Sequence, residues 1–151
     1  LRIAAEIAER DNSDRVAELH VLKAKNKMEL DCVAEAIRTL PTQSKLVLMC
    51  IVTNVEKGVG KLTTGDVYET YKETSRILGM GPLTQRRITD LISELDMLGI
   101  IHARVRSFGR GGRTKEIDLS VPLEETKKVL EEDEVFIGLR HYKQKNQTTL
   151  M

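Results

Sequence analysis

The chain is poor in the residues that perform chemistry, with two cysteines and three histidines among 151 positions. Cys32 and Cys50 have no metal-like spacing and no neighbouring ligand set, which excludes a zinc framework. Two ordinary buried thiols of a reducing compartment are the expectation. His20, His102 and His141 stand in different elements, outside any nucleophile, metal or phosphate-loop motif, so each reads as a surface histidine. No G-x-x-x-x-G-K-[ST] run occurs, and the glycine-rich Gly109-Arg110-Gly111-Gly112 precedes a strand rather than a helix N-terminus. Nucleotide hydrolysis by this chain alone, in the P-loop manner, is thereby excluded. No stretch nears the roughly 18 apolar residues of a membrane span, and no charged-then-apolar leader opens the chain. A soluble, unsecreted protein without catalytic residues or metal is expected. Net charge is nearly absent too, at +1, so a site for a polyanion must come from local clustering.

What is present is helical periodicity. At 40% hydrophobic content the chain can bury one good core or two small ones. It opens on Leu1-Arg2-Ile3-Ala4-Ala5-Glu6, without a Met and already in a helical pattern, like the end of a longer polypeptide. Leu1 to Arg10 reads as helix, ended by the breakers Asp11-Asn12-Ser13-Asp14. A second helical stretch continues to Ile37, and residues 1–40 carry seven basic against eight acidic side chains, no electrostatic case for nucleic acid. Leu40-Pro41-Thr42 is the best boundary, because a residue before proline is pushed out of the helical region and Thr42 or Ser44 can cap a new helix. Leu46, Val47, Cys50, Ile51 and Val55 form its apolar face, ending at Gly58-Val59-Gly60. Lys61-Leu62-Thr63 suffices for one strand pairing. Thr64 reads as the next N-cap, with Asp66 in the first turn and Val67, Tyr68, Tyr71, Ile77 and Leu78 on the buried side. Gly79-Met80-Gly81-Pro82 breaks that helix, and Thr84 caps the third.

At about 100° per residue, Ile88, Leu91, Ile92, Leu95 and Leu98 share one inward sector of this third helix, Thr84 to Leu98. Arg86, Asp90, Ser93 and Met97 lie opposite, with Gln85 and Thr89 on one flank and Arg87 on the other. Donors thus concentrate near the N-terminus, the end a recognition helix pushes toward base edges. After Gly99 the period becomes alternating. Ile101, Ala103 and Val105 are expected to face a core, His102, Arg104 and Arg106 to face out, and Ile117, Leu119 and Val121 to repeat the pattern on the return. Arg104 to Lys115 hold five cations and no carboxylate, on a tip where Gly109, Gly111 and Gly112 permit positive φ. A helix-turn-helix followed by a basic, glycine-tipped hairpin is a winged-helix signature, so the predicted fold is mainly α with a small β-hairpin. The predicted DNA-binding residues are Thr84, Gln85, Arg86, Arg87, Thr89 and Ser93 on the recognition helix. On the wing they are Arg104, Arg106, Arg110, Gly111, Gly112, Arg113 and Lys115. Arg86 or Arg87 can pair with guanine and Gln85 with adenine, while the wing grips phosphates or a minor groove. Glu124 to Glu134, with six acidic and two basic side chains, reads as a short charged helix that caps the domain or solvates it. From Phe136 to Met151 a partly ordered tail is expected.

Four segments are distinctive in combination: Thr64-Gly65-Asp66-Val67-Tyr68, Pro82-Leu83-Thr84-Gln85-Arg86-Arg87-Ile88, Glu94-Leu95-Asp96-Met97-Leu98-Gly99-Ile100, and Gly109-Arg110 with Gly112-Arg113-Thr114-Lys115-Glu116-Ile117. With them the chain resembles, from about Leu1 to about Leu130, the C-terminal part of archaeal replication initiators of the Orc/Cdc type, relatives of the eukaryotic origin recognition complex. The resemblance implies a parent with an AAA+ ATPase core, a helical lid and a winged helix that binds origin DNA. Residues 1–40 would then be the C-terminal helices of the lid and a linker, 41–122 the winged-helix domain and 123–151 a C-terminal helix and tail. ATP and magnesium are implied for the core upstream of Leu1, and no cofactor for this chain. The implied partners are double-stranded origin DNA, the replicative helicase and other initiator copies, on the nucleoid in the cytoplasm. Two other functions fit the fold: a transcription regulator, with residues 1–38 as dimerisation helices, and a protein-interaction winged helix contacting the helicase.

Overall fold

The computed structural model describes residues 2–3, 17–107 and 109–149, which fall in two compact units, Leu1–Ala36 and Ile37–Met151. Most of the first helical stretch and its breaker run, Asp11-Asn12-Ser13-Asp14, lie outside the described residues. The helix α1, Glu18–Arg38, begins with a reciprocal contact to its own first turn, in which the Ala17 N–H donates to His20 Nδ1 at 3.2 Å. His20 is therefore buried, not a surface histidine. Leu19, Val21, Leu22 and Met28 are exposed, and so is Cys32. Val21, Ala24, Met28, Cys32 and Val33 recur at helical spacing and line one apolar groove on α1, and the thiol lies on this exposed stripe.

In the second unit α2, Thr42–Glu56, is the central element, and every residue from Leu46 to Val52 is buried. The expected apolar face was too narrow: Leu48, Met49 and Val52 are buried as well, whereas Val55 is only half-buried. A helix surrounded on all sides reads as apolar all round. Its buried Asn54 is satisfied, donating from Nδ2 to the Cys50 carbonyl at 2.8 Å and to Thr70 Oγ1 at 2.9 Å. Burial pushes the Cys50 thiol up to about 12, which leaves it inert. Neither Thr42 nor Ser44 caps this helix; Pro41 stands at the N-cap with φ −58° and no side-chain bond.

Next come β1, Leu62–Thr63, and α3, Thr64–Ile77. The cap falls one residue earlier than expected, on Thr63. Its hydroxyl accepts from the Asp66 N–H at 3.3 Å while Asp66 Oδ2 accepts from the Thr63 N–H at 3.0 Å, a capping box. Then follow α4, Gln85–Met97, and the strands β2, Ile101–Ser107, and β3, Arg113–Leu119. The sheet is antiparallel in the order β1-β3-β2, with Leu62 opposite Ile117 and Ala103 also opposite Ile117 from the other side. The hairpin is thus extended to three strands, and Leu62, Ile101 and Ile117 close the core from this edge.

Two further helices complete the unit: α5, Leu123–Glu131, and α6, Ile137–Thr149. The acidic α5 is a brace on α2. Leu130 and Thr126 are buried against it, Lys127 Nζ donates to Glu56 Oε1, and Lys45 Nζ reaches Asp133 Oδ2 at 2.7 Å just beyond its end. The partly ordered tail expected after Phe136 is instead helical to Thr149, because Phe136 and Leu139 are buried and anchor it.

Candidate nucleic-acid interface

The position of α4 is set by Tyr71, which is fully buried on α3. Its hydroxyl donates to Gln43 Oε1 of α2 at 2.9 Å and accepts from the Leu83 N–H at 3.0 Å, two residues before the start of α4. One phenol therefore joins three segments. Thr84 is the N-cap, its hydroxyl accepting from the Arg87 N–H at 3.3 Å, so that side chain is committed to the helix. Ile88, Leu91, Ile92 and Leu95 are buried as their spacing requires. Leu98 departs from the expectation and is 59% exposed, because it is the C-cap residue where the chain turns away toward β2. Gln85, Arg86 and Arg87 are exposed on the first turn, with Arg87 3.8 Å from Glu94. Thr89 and Ser93 donate back to the carbonyls of Gln85 and Thr89, at 3.0 and 3.1 Å.

The wing has two chemically different faces. Residues directly opposite in an antiparallel pair point the same way, and the register sets Val105 against Lys115 and Ser107 against Arg113. Arg104 and Arg106 point the other way, where Asp118 Oδ2 lies 3.7 Å from Arg104 and Glu116 Oε2 3.0 Å from Arg106. The carboxylates that the segment from Arg104 to Lys115 lacks are thus supplied by the return strand. Among the described residues Arg86, Arg110, Arg113 and Lys115 form no ion pair, whereas Arg87, Arg104 and Arg106 do. Val105, expected to face the core, is 62% exposed, since only the base of the hairpin reaches the body of the unit. At the tip, Gly109 and Gly112 have φ of +61° and +88°, a region that L side chains enter only with strain. Gly111 was expected to share it but belongs to the 3-10 turn Gly109–Gly111, with Arg110 exposed between them.

Between α4 and the wing runs a groove of roughly 510 Å3, lined by Gln85 and Thr89 on one side and Val105, Arg113, Thr114 and Lys115 on the other. Thr63, Thr64 and Gly65, from the start of α3, complete it. Lys115 Nζ donates to Ser93 Oγ and ties the wing to the helix. Of the residues the sequence singles out, Gln85, Thr89, Arg113 and Lys115 are brought together here. Ser93 is engaged by Lys115, and Arg104 and Arg106 lie on the far face. Thr63, Thr64, Gly65 and Thr114 were not anticipated; the Thr63-x-x-Asp66 spacing of a capping box was the available signal for the first of them. Among the described residues no group of His, Cys, Asp and Glu could hold a metal ion, and no helix is long and apolar enough to cross a membrane.

A helix-turn-helix whose third helix faces a β-wing across a polar groove is a winged helix. The domain described as CDC6, C terminal winged helix domain, matches residues 35–129, and the chain belongs to that family. It is 59% identical over 133 residues to ORC1-type DNA replication protein 7 of Halobacterium salinarum, covering 88% of this chain and 26% of that protein. To ORC1-type DNA replication protein 1 of Methanosarcina mazei it is 56% identical over 135 residues, covering 88% of this chain and 33% of that protein. The chain therefore spans about a quarter to a third of these relatives. Among solved structures, the Aeropyrum pernix ORC1 protein in complex with DNA superposes with a TM-score of 0.83 at 43% identity, over 91% of this chain and 36% of the other.

Proposed function

We propose that this chain binds double-stranded DNA at replication origins with sequence preference, as the C-terminal part of a replication initiator. The groove between α4 and the wing is the observation that carries the reading. It places amide and hydroxyl groups of Gln85 and Thr89 opposite Arg113 and Lys115, while Arg86 on the first turn of α4 and Arg110 at the wing tip are exposed. In this reading the first turn of α4 enters the major groove, where Arg86 or Arg87 pairs with guanine and Gln85 with adenine. The wing follows the backbone into a neighbouring minor groove. The similarity to a protein solved with DNA supports it, as do the names of the ORC1-type replication proteins. The matched segment is only 26% and 33% of those relatives. The extra length is where an ATPase core, its ATP and magnesium, and contacts to a helicase or other initiator copies belong.

Fluorescence anisotropy on an origin repeat and on a scrambled duplex, across a salt series, tests the assignment. Arg86→Ala is expected to lose about 1–3 kcal/mol of discrimination between the two duplexes. Arg110→Ala is expected to weaken both equally and to reduce the salt slope by about 0.9. Unchanged discrimination in the first variant removes α4 from the major groove. An unchanged slope in the second removes the tip from the phosphates.

A further inference from the structure

The wing is joined to α4 at two levels. At its base the Ala103 N–H donates to Asp96 Oδ1 at 3.3 Å, near the C-terminal end of the helix. Two residues further out, where Val105 stands opposite Lys115, Lys115 Nζ donates to Ser93 Oγ, about one turn earlier on the same helix. The direction of this second bond is fixed, because the Ser93 hydroxyl gives its own hydrogen to the Thr89 carbonyl at 3.1 Å and leaves the oxygen to accept. The base contact lies where the buried Ile101 and Ile117 already support the strands. The outer contact lies beyond that core, where Val105 is 62% exposed. A strand rises about 3.3 Å per residue, so a wing held at Ile117 and Ala103 alone would carry Arg113 on an arm of roughly 13 Å. Lys115 stands halfway along that arm. One attachment leaves a hinge; two set an angle. Of the two groove cations Lys115 is half-buried and Arg113 exposed, so Arg113 is the one open to a ligand.

We propose that Lys115 and Ser93 are positioning residues, whose hydrogen bond latches the wing to α4 and holds Arg113 at the distance from Gln85 and Thr89 that lets helix and wing engage one duplex together. The inference rests on the DNA reading above. It moves Ser93 and Lys115 from the DNA contacts expected in the sequence to a latch between the two elements that make such contacts. Two linked contacts bind tightly only when their spacing matches that of their sites. A spacing set in advance also removes the cost of ordering the wing on binding.

The whole chain, Ser93→Ala, Ser93→Thr, Arg113→Ala and the double variant of Ser93→Ala with Arg113→Ala are compared on one mixed-sequence duplex across salt, with urea unfolding of each. Ser93→Ala removes the acceptor and leaves every charge in place. It is expected to keep the wild-type urea midpoint and salt slope and to bind about fivefold more weakly. Ser93→Thr keeps the hydroxyl and is expected to bind as the wild type does. Beside Arg113→Ala, where the wing has lost its own contact, Ser93→Ala is expected to cost nothing more. A direct contact of Ser93 with DNA, or a weakened helix, does not give that non-additivity. If Ser93→Ala binds as tightly as the wild type or more tightly, the latch is overturned while the DNA reading stands. If its loss is undiminished beside Arg113→Ala, Ser93 acts without the wing and the latch is overturned. Backbone amide relaxation of the free chain gives a readout that needs no DNA. Val105, Arg106 and Thr114 are expected to lose order in Ser93→Ala while Ala103 and Ile117 keep theirs. Unchanged order at those three amides overturns the latch even where binding falls. If the wild type does not bind the duplex, the DNA reading fails and the positioning role fails with it.

Discussion

Tyr71 and Thr63 carry consequences out of proportion to their size, because each fixes the start of a helix that lines the groove. Removing the Tyr71 hydroxyl leaves Gln43 and the Leu83 N–H without their partner. Tyr71→Phe is expected to destabilise the chain by about 1–2 kcal/mol in urea unfolding and to speed amide exchange at Leu83. Unchanged exchange there would mean that the phenol does not hold the entry to α4. The two cysteines give a second check. A thiol reagent under native conditions is expected to modify Cys32, which is exposed, and to spare Cys50 until unfolding. Mass spectrometry of the modified peptides reads the outcome. At this scale the sequence was legible where a residue type has one dominant use, as with Thr84 at an N-cap. It was less so where neighbours compete: Thr63 and Thr64 are both good caps, and only the reciprocal bond to Asp66 separates them.

Among the elements, α4 and the wing were readable because their hydrophobic periods, helical and then alternating, are long and clean. The faces of the wing were not, since they depend on where the body of the protein stops supporting it. Val105 has the parity of Ile101 and Ala103 but lies beyond the core. The role of α5 was hidden for a different reason. Its ion pairs join residues 71 and 88 positions apart, and no local pattern announces them. These pairs make the brace sensitive to acid. Hydrogen bonds from Lys127 and Lys45 hold the carboxyls of Glu56 and Asp133 below their ordinary range. A carboxyl depressed in the folded state stabilises above its unfolded pKa, and that stability is lost as pH falls through the folded value. Urea midpoints are therefore expected to be flat above about pH 5 and to fall below about pH 4. Asp133→Asn is expected to cost roughly 1 kcal/mol at neutral pH, for a pair whose side chains are 15% and 25% exposed, and to remove part of the acid slope. An acid slope identical to wild type would assign the loss to other groups.

For the whole molecule, a net charge of +1 conceals a wing whose two faces differ in charge. Acidic side chains are drawn to α5 and to the outer face of the wing, where Glu116 and Asp118 neutralise Arg106 and Arg104. The groove keeps Arg113 and Lys115. The winged helix was legible from sequence because order, caps and periods agree. Which of its five wing cations have carboxylate partners was not, because that depends on strand register and cross-strand neighbours. In the proposed function the inner face of the wing, and not the cluster of arginines as a whole, meets DNA. That claim is tested most directly by the salt slope of duplex binding for Arg113→Ala beside Arg106→Ala. Arg113→Ala is expected to lower the slope by about 0.9 with a matching loss of affinity, and Arg106→Ala to stay near wild type. Equal losses in the two variants, or a loss confined to Arg106→Ala, would contradict it.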